Sequence, residues 1–507
     1  MKILLLDTTL RDGEQTSGVS YTEDEKLSIA KILIEDLKVD RLEVASAKVS
    51  DGEFNAVKKI TSWAKRNGHL EKIEVLGFVD GDKSINWLKE SGCQVLNLLT
   101  KGSLNHCKYQ LRKEPDEHIA DIKAVLKLAE TNNIRVNIYL EDWSNGMRHS
   151  RSYVYHMLDE LKDTCIDRFM LPDTLGILNP DETYDFLKET KERYPKLKFD
   201  FHSHNDYDLA TANVFAAIKA GIDCIHGTIN GLGERAGNIP LSSAIAVVLD
   251  HFKYPLNVNE SRLNFVSRMV EMYSGIRIPQ NKPLIGESVF TQTAGIHADG
   301  DSKKNLYFND LLPERFGRKR SYALGKTSGK ANIKKNLEEM GIELDEFSMK
   351  KITDRIIELG DRKEMVTRDD LPYIIADVLK SKAIEEKIEV INYNFSAGKG
   401  LKPVASVKLK INGHGVFEEH AAGDGQYDAF MRAIKSIYIK LNKVLPRLVD
   451  YSVSIPPGGR TDALVQTVIT WNLGKEFRTR GLDSDQTMAA IKATIKMLNM
   501  IENFENQ

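Results

Sequence analysis

The feature that most constrains this chain is an alternation. From residue 1 to about 230, short apolar runs with β character recur between longer stretches of helical period. The runs lie at 3–6, 41–45, 73–79, 95–99, 136–140, 168–171, 199–204 and 224–229. Eight such runs separated by helices of globular length predict a closed parallel (β/α)8 barrel. An open doubly wound sheet is the alternative; no nucleotide-binding glycine loop follows the first run, which disfavours it.

A barrel carries its chemistry at the C-terminal ends of its strands. Read in turn, those ends hold Arg11 and Asp12, Glu43, Leu76, Leu99 with Thr100, Tyr139 with Glu141 and Asp142, Asp173 with Thr174, His202 with His204, and the stretch 230–238. Residues i and i+2 of a strand share a face, so His202 and His204 point the same way and suit a divalent metal. The competing reading is two strand histidines satisfied by hydrogen bonds. Asp12, a loop carboxylate just past the first strand, favours the metal. One oxygen and two nitrogens suit Mn²⁺, Zn²⁺ or Mg²⁺.

Composition narrows the class. With 507 residues, 41% of them hydrophobic, the chain can bury more than one core. Lys plus Arg number 71 against 73 Asp plus Glu, a net charge of −2 that points away from nucleic acid and anionic membranes as partners. Cys93, Cys107, Cys165 and Cys224 are widely spaced and read as reduced thiols. The opening residues are too short for a signal peptide and no apolar run of about 18 residues follows, so a cytoplasmic protein is expected.

Three segments carry a family resemblance: Leu10-Arg11-Asp12-Gly13-Glu14-Gln15-Thr16, His202-Ser203-His204-Asn205-Asp206, and Asn230-Gly231-Leu232-Gly233-Glu234-Arg235-Ala236-Gly237-Asn238. Together they resemble the signature segments of the isopropylmalate, homocitrate and citramalate synthases, metal-dependent TIM-barrel enzymes that condense acetyl-CoA with a 2-oxo acid. The resemblance implies that Asp12, His202 and His204 ligate the metal with Asn238 as a further ligand, though Asn238 also reads as a loop cap. It implies Arg11 as the group stabilising a growing alkoxide; a salt bridge to Asp7 or Glu43 is its structural reading. Glu141 is implied as the acid/base, with a role as an arginine's partner as the alternative, and Thr174 as a hydrogen-bond donor to the oxo acid carboxylate.

Two departures bear on the oxo acid. Isopropylmalate and homocitrate synthases usually carry Thr-Ser followed by His near the end of the fourth strand, and small serines before the fifth-strand acid. This chain has Leu98-Leu99-Thr100-Lys101-Gly102-Ser103 and Tyr139-Leu140-Glu141. Leu76, Leu99 and Tyr139 would crowd the place of a larger side chain and favour the methyl of pyruvate. That pattern is most similar to the bacterial citramalate synthases. If the three merely pack the barrel top, 2-oxoisovalerate stays open.

The barrel is expected over residues 1–270 and a more polar helical linker over 271–385. There the family places a catalytic His, here His297, supplied to the partner subunit's barrel, with Tyr307 beyond it. Asp299, Asn305 and Leu306 are assigned to the acetyl-CoA co-substrate. The basic cluster Arg315, Arg318, Lys319 and Arg320 reads as CoA-phosphate contacts or as a solvated charge run. Residues 386–507 read as a duplication, two βββα units forming an α+β domain; the resemblance implies that it is the family's C-terminal regulatory domain, which binds an end-product amino acid. Each helix is expected to follow a Gly/Asp turn, at 423–425 and 481–483. Tyr427, Asp428, Leu448, Tyr451, Ile455 and Val465 are the candidate effector cleft, and core packing explains its apolar members equally well.

The expected whole is a homodimeric acyltransferase making citramalate for isoleucine synthesis, with 2-isopropylmalate and leucine as the alternative pair. A lyase cleaving an acyl-CoA on the same barrel is disfavoured by the effector domain. A catalytically dead amino-acid sensor is disfavoured by the presence of Arg11, Asp12, Glu141, His202 and His204.

Overall fold

The computed structural model describes residues 2–304, 306–361, 366–379, 387–454 and 465–504. They form two compact units, Met1–Thr291 with Phe308–Arg320 and Gln292–Tyr307 with Ser321–Gln507.

In the first unit the eight runs become β1 (Leu4–Asp7), β2 (Arg41–Ser46), β3 (Ile73–Phe78), β4 (Val95–Lys101), β5 (Arg135–Glu141), β6 (Ile166–Asp173), β7 (Phe199–Ser203) and β8 (Cys224–Gly227). They close in sequence order into a parallel barrel, β1 meeting β8 from Leu4↔Cys224 to Asp7↔Gly227. Alternation divides each strand between two environments. Leu5, Val44, Val75, Ile138, Phe201 and Ile225 belong to the large apolar cluster shared with the helices. Between them along the strands, Leu6, Leu76, Tyr139, Met170 and Cys224 form a separate small cluster, with Leu4 and Leu99 packed against it.

Local sequence starts the helices. Thr22 and Glu25 form a capping box for Glu23–Lys31, and Asn179 and Glu182 form another for Pro180–Arg193, whose first position is proline. Lys26, on the first of these helices, is fully buried. Its ammonium meets Glu14 at 2.6 Å and Glu53 at 2.5 Å, and donates to the carbonyls of Leu10 at 3.1 Å and Val44 at 3.4 Å.

The second unit ends in the duplicated α+β domain. Strands Ile388–Ser396, Val404–Ile411 and Gly415–Ala422 form one antiparallel sheet, followed by helix Gln426–Lys440; Arg447–Ser454, Val465–Asn472 and Glu476–Asp483 form another, followed by helix Gln486–Phe504. Val407, Phe430 and Ile434 from the first repeat share a core with Ile469, Trp471 and Ile491 from the second. One expected boundary moves: residues 481–483 are strand, and the last helix starts after Asp485, whose carboxylate accepts from Met488 N at 2.9 Å. Among the described residues no helix is long and apolar enough to cross a membrane.

Candidate active site

The site begins where the loops after β1, β7 and β8 are sewn together. Three backbone N–H groups, of Arg11, Asp12 and Gly13, converge on Thr8 O at 2.9–3.1 Å and wind the first loop tightly. Ile229 N donates to Thr9 Oγ1 at 2.8 Å and Gly233 N to Thr16 Oγ1 at 2.7 Å, tying that loop to the one after β8. The β8 loop in turn pairs with the end of β7, Asn238 forming an antiparallel bridge with His204. Glycine is required at Gly233, where φ is +151° and a Cβ would lie 2.3 Å from Asn238 Nδ2.

This stitching brings four predicted ligands together, all buried. An Asp12 oxygen lies 3.0 Å from His202 Nε2 and 3.8 Å from His204 Nε2, and accepts from Asn238 Nδ2 at 3.0 Å. Burial alone would raise the Asp12 carboxyl, but the Arg11 guanidinium and the two rings hold it well below the usual carboxylate range. Burial, with His202 alongside, pushes His204 down to about 4, so its ring is neutral and keeps a lone pair for a cation. Asn238 Oδ1 and the Nδ1 atoms of both histidines are buried without a hydrogen-bond partner, a costly state unless a ligand completes the set. Donor atoms of Asp12, His202 and His204 lie within 4.8 Å of one another. A carboxylate, two imidazoles and an amide oxygen fit a divalent cation.

Arg11 stands beside them. Its Nε donates to Glu43 Oε2 at 2.6 Å, its Nη1 is 3.6 Å from Asp12, and its Nη2 lies 3.5 Å from the Tyr139 hydroxyl. Burial opposes its charge, but Glu43 and Asp12 hold the guanidinium above its ordinary value. Of the two acids weighed as its partner, Glu43 takes it. Asp7 accepts from Thr9 N and Thr9 Oγ1 instead, and burial pushes its carboxyl up to about 7. The buried Tyr139 ring stands edge-on to His202 and shares its barrel-lining cluster with Leu76 and Leu99.

Glu141 pairs with the Lys101 ammonium. The sequence suggests an arginine as its structural partner; the structure supplies a lysine. Lys101 is itself buried and pinned by its backbone, its N–H donating to His118 Nε2 at 3.2 Å and its carbonyl accepting from Tyr153 at 2.9 Å. Thr174 Oγ1 accepts from Asp142 N at 2.9 Å, and the Thr174 carbonyl accepts from Arg235 at 2.7 Å.

Within the second unit, the His297 and Tyr307 ring centroids lie 4.3 Å apart with the rings tilted by 39°. Leu306 and Tyr307 are exposed, Asp299 pairs with Lys303 at 2.6 Å, and Asn305 lies outside the described residues. In the first unit, two members of the basic cluster are committed internally: Arg315 to Asp250 and Glu260, Arg318 to the carbonyls of Gly286 and Glu287. Of the effector candidates, the Tyr427 and Tyr451 ring centroids lie 5.5 Å apart with the rings tilted by 43°. Asp428 is taken up by Arg432 and Asp424 N, Val465 is buried, Leu448 is exposed, and Ile455 lies outside the described residues.

Residues 2–270 match the HMGL-like family, 284–364 the homocitrate synthase post-HMGL domain-like family, and 365–502 the LeuA allosteric (dimerisation) domain. The (R)-citramalate synthase of Methanocaldococcus jannaschii is 34% identical over 505 residues, covering 99% of this chain and 100% of that protein. This chain belongs to the citramalate and 2-isopropylmalate synthase family. The 2-isopropylmalate synthase of the same archaeon is also 34% identical, over 510 residues, 99% of this chain and 95% of the relative. Among solved structures, hydroxymethylglutaryl-CoA lyase from Pseudomonas aeruginosa is 18% identical, spans 55% of this chain and 94% of its own, and has a TM-score of 0.45. The chain is thus an enzyme of this metal-dependent synthase type.

The family's motifs do not flag Lys101, nor the polar residues lining this barrel: Arg41, Glu74, Asn97, Asn137, Asp200 and His226 are all buried. The six lining residues, unlike Lys101, carry a signal: each stands in an apolar strand at a position whose side chain faces the barrel interior.

Proposed function

We propose that this synthase condenses acetyl-CoA with pyruvate and hydrolyses the resulting thioester, releasing CoA and (R)-citramalate. The observation that carries the reading is the joint placement of Leu76, Leu99 and Tyr139 in one cluster that touches Arg11 through the tyrosine hydroxyl. Such a lining admits a methyl substituent and opposes a branched one by steric overlap.

Asp12, His202, His204 and Asn238 would hold the divalent cation, Mn²⁺, Mg²⁺ or Zn²⁺, which when bound polarises the ketone as a Lewis acid. Arg11, kept charged by Glu43 and Asp12, stabilises the negative oxygen as the carbon nucleophile attacks. Thr174 orients the oxo acid carboxylate. Glu141 moves the proton at the acetyl-CoA methyl group, and Lys101 holds its carboxylate in place. His297 and Tyr307 complete proton transfer from the partner subunit, with Asp299, Asn305 and Leu306 toward the CoA.

Residues 1–270 form the catalytic domain, 271–385 the linker and 386–507 the regulatory domain of a cytoplasmic homodimer. Isoleucine is the effector that matches citramalate, bound in the cleft of Tyr427, Asp428, Leu448, Tyr451, Ile455 and Val465. The match to a LeuA allosteric (dimerisation) domain supports both assembly and feedback. A second reading, 2-isopropylmalate synthesis with leucine feedback, is kept because the two relatives are equally identical to this chain.

The test follows CoA release with a thiol reagent, in separate reactions of acetyl-CoA and Mn²⁺ with pyruvate, 2-oxoisovalerate or 2-oxoglutarate. Turnover of pyruvate alone is the expected result; preference for 2-oxoisovalerate overturns the substrate and moves the assignment to leucine synthesis.

A further inference from the structure

Beneath the site, nine side chains close a hydrogen-bonded ring through the barrel. Arg11 binds Glu43, Asn97 donates to Glu43 at 2.7 Å, and Asn137 donates to Asn97 at 2.9 Å and Glu74 at 3.4 Å. Arg41 grips Glu74 at 2.6 and 2.9 Å and reaches Asp200 at 2.5 Å. His226 Nε2 lies 3.2 Å from Asp200, His226 Nδ1 lies 3.1 Å from the Tyr139 hydroxyl, and that hydroxyl returns to Arg11.

The directions along one arc of this ring are forced. Asp200 accepts from Arg41 on one oxygen and from Arg168 on the other at 2.6 Å, so it is a carboxylate and can only accept from His226. His226 Nε2 therefore carries a proton. The Tyr139 hydroxyl lies between the Arg11 guanidinium, which has no acceptor to offer, and His226 Nδ1. Its proton therefore goes to Nδ1, which offers a lone pair, and its oxygen lone pairs are left for Arg11. The sequence Arg11→Tyr139→His226→Asp200 runs one way only.

We infer that His226, oriented by Asp200, is a positioning residue that fixes the tilt of Tyr139 and thereby the depth of the pocket for the 2-oxo acid side chain. The inference rests on the reading of Tyr139 as a wall of that pocket. Freed from Nδ1, the phenol hydroxyl keeps only the 3.5 Å contact to Arg11 among the described side chains, and a wall that swings discriminates less between a methyl and an isopropyl group.

The experiment uses the full-length protein with Mn²⁺ and reads the ratio of kcat/KM for pyruvate to that for 2-oxoisovalerate. His226→Gln keeps an amide to reach Asp200 but offers no acceptor near Tyr139; His226→Asn keeps an acceptor close to the Nδ1 position; Tyr139→Phe removes the donor. The ratio is expected to fall about tenfold in His226→Gln and in Tyr139→Phe, and no further in the double variant, because both remove the same bond. His226→Asn should retain more of the ratio than His226→Gln, while the KM for acetyl-CoA stays within about twofold throughout. A His226→Gln enzyme that is slower on both oxo acids alike, with the ratio intact, overturns the inference, as do losses that multiply in the double variant. If His226→Gln does not fold, Tyr139→Phe compared with Tyr139→Phe/His226→Asn still decides it: a further fall of the ratio in the double refutes action through the hydroxyl. Should the unaltered enzyme itself prefer 2-oxoisovalerate, the pyruvate reading fails, whereas a ratio that still moves in His226→Gln sustains the positioning role.

Discussion

Replacing Lys26 by methionine should loosen the catalytic loop from behind. The ammonium is wholly buried between Glu14 and Glu53 and donates to Leu10 O, the carbonyl immediately before Arg11 and Asp12. At contact distances near 2.5 Å each attraction is about 6 kcal/mol with an effective dielectric constant of about 20. Desolvation of the three charges offsets most of that, and removing one partner of a buried pair costs about 3–5 kcal/mol. The two carboxylates keep some contact with water, side-chain exposures being 19% and 15%, so the low end applies, about 3 kcal/mol. The loss should also depend on pH. Burial pushes the Glu53 carboxyl up against the pull of Lys26; without the lysine that rise is unopposed. The folded variant then holds the Glu53 proton to higher pH than its unfolded chain, so its stability falls as pH rises through the carboxylate range, and the gap to the unaltered protein is wider at pH 7.5 than at pH 5. Urea unfolding followed by tryptophan fluorescence reads the barrel, which holds Trp63, Trp87 and Trp143. With Leu10 released, kcat should fall about tenfold as well. Equal urea midpoints at pH 7.5, or a gap that ignores pH, would refute the reasoning.

Asp12→Asn should weaken Mn²⁺ binding by a factor of at least about 100 in calorimetric titration; an unchanged affinity removes Asp12 from the ligand set. Leu76→Ala should shift the pyruvate to 2-oxoisovalerate ratio about tenfold toward the branched acid while costing about 2–3 kcal/mol of stability, and steady-state kinetics on both acids check it. His118, lowered from 6.5 to about 4 by burial and Lys113, should make the barrel acid-labile. Between those values the unfolded chain takes up a proton that the folded one refuses, so stability drops by about 2 kcal/mol on going from pH 7 to pH 5. His118→Gln lacks that step, and its disadvantage against the unaltered protein should shrink by the same amount over that interval; a constant difference would count against the burial argument.

The barrel was legible because its code is local. Every strand announces itself as an apolar run, and His202 and His204 announce the metal site because two residues on one strand share a face. Asp12 followed from a polar loop at a strand end. Lys101 was not legible: a lysine after Leu99-Thr100 reads as a solvated strand terminus, and only the adjacent β5 shows that it is buried against Glu141. Residues 481–483 misled for a different reason. Gly481 reads as a turn, yet it lies in a strand where a Cβ would come within 1.8 Å of Ala489 O. The glycine is there to let helix Gln486–Phe504 press against its own sheet, a requirement set by packing and invisible to turn statistics.

The ring through the barrel escaped sequence reading because no two hydrogen-bonded neighbours in it share a strand; Tyr139 and Asn137, and Arg41 and Glu43, share strands but are not bonded to each other. Each member alone looks like a liability, a charge or amide inside an apolar run. Closed on itself, the ring converts those liabilities into a frame: Arg41 joins Glu74 on β3 to Asp200 on β7, while Asn97 and Asn137 carry the link back to Glu43. The two groups at which the ring reaches the rim are Arg11, beside Asp12, and Tyr139, edge-on to His202. Truncating a member far below, such as Asn97→Ala, leaves Glu43 with only Arg11 to satisfy it and Asn137 with only its longer 3.4 Å contact to Glu74, and the strain should surface in the orientation of Arg11. A barrel whose reacting groups are held from within can vary its rim loops and still present Arg11 to the substrate at the same angle.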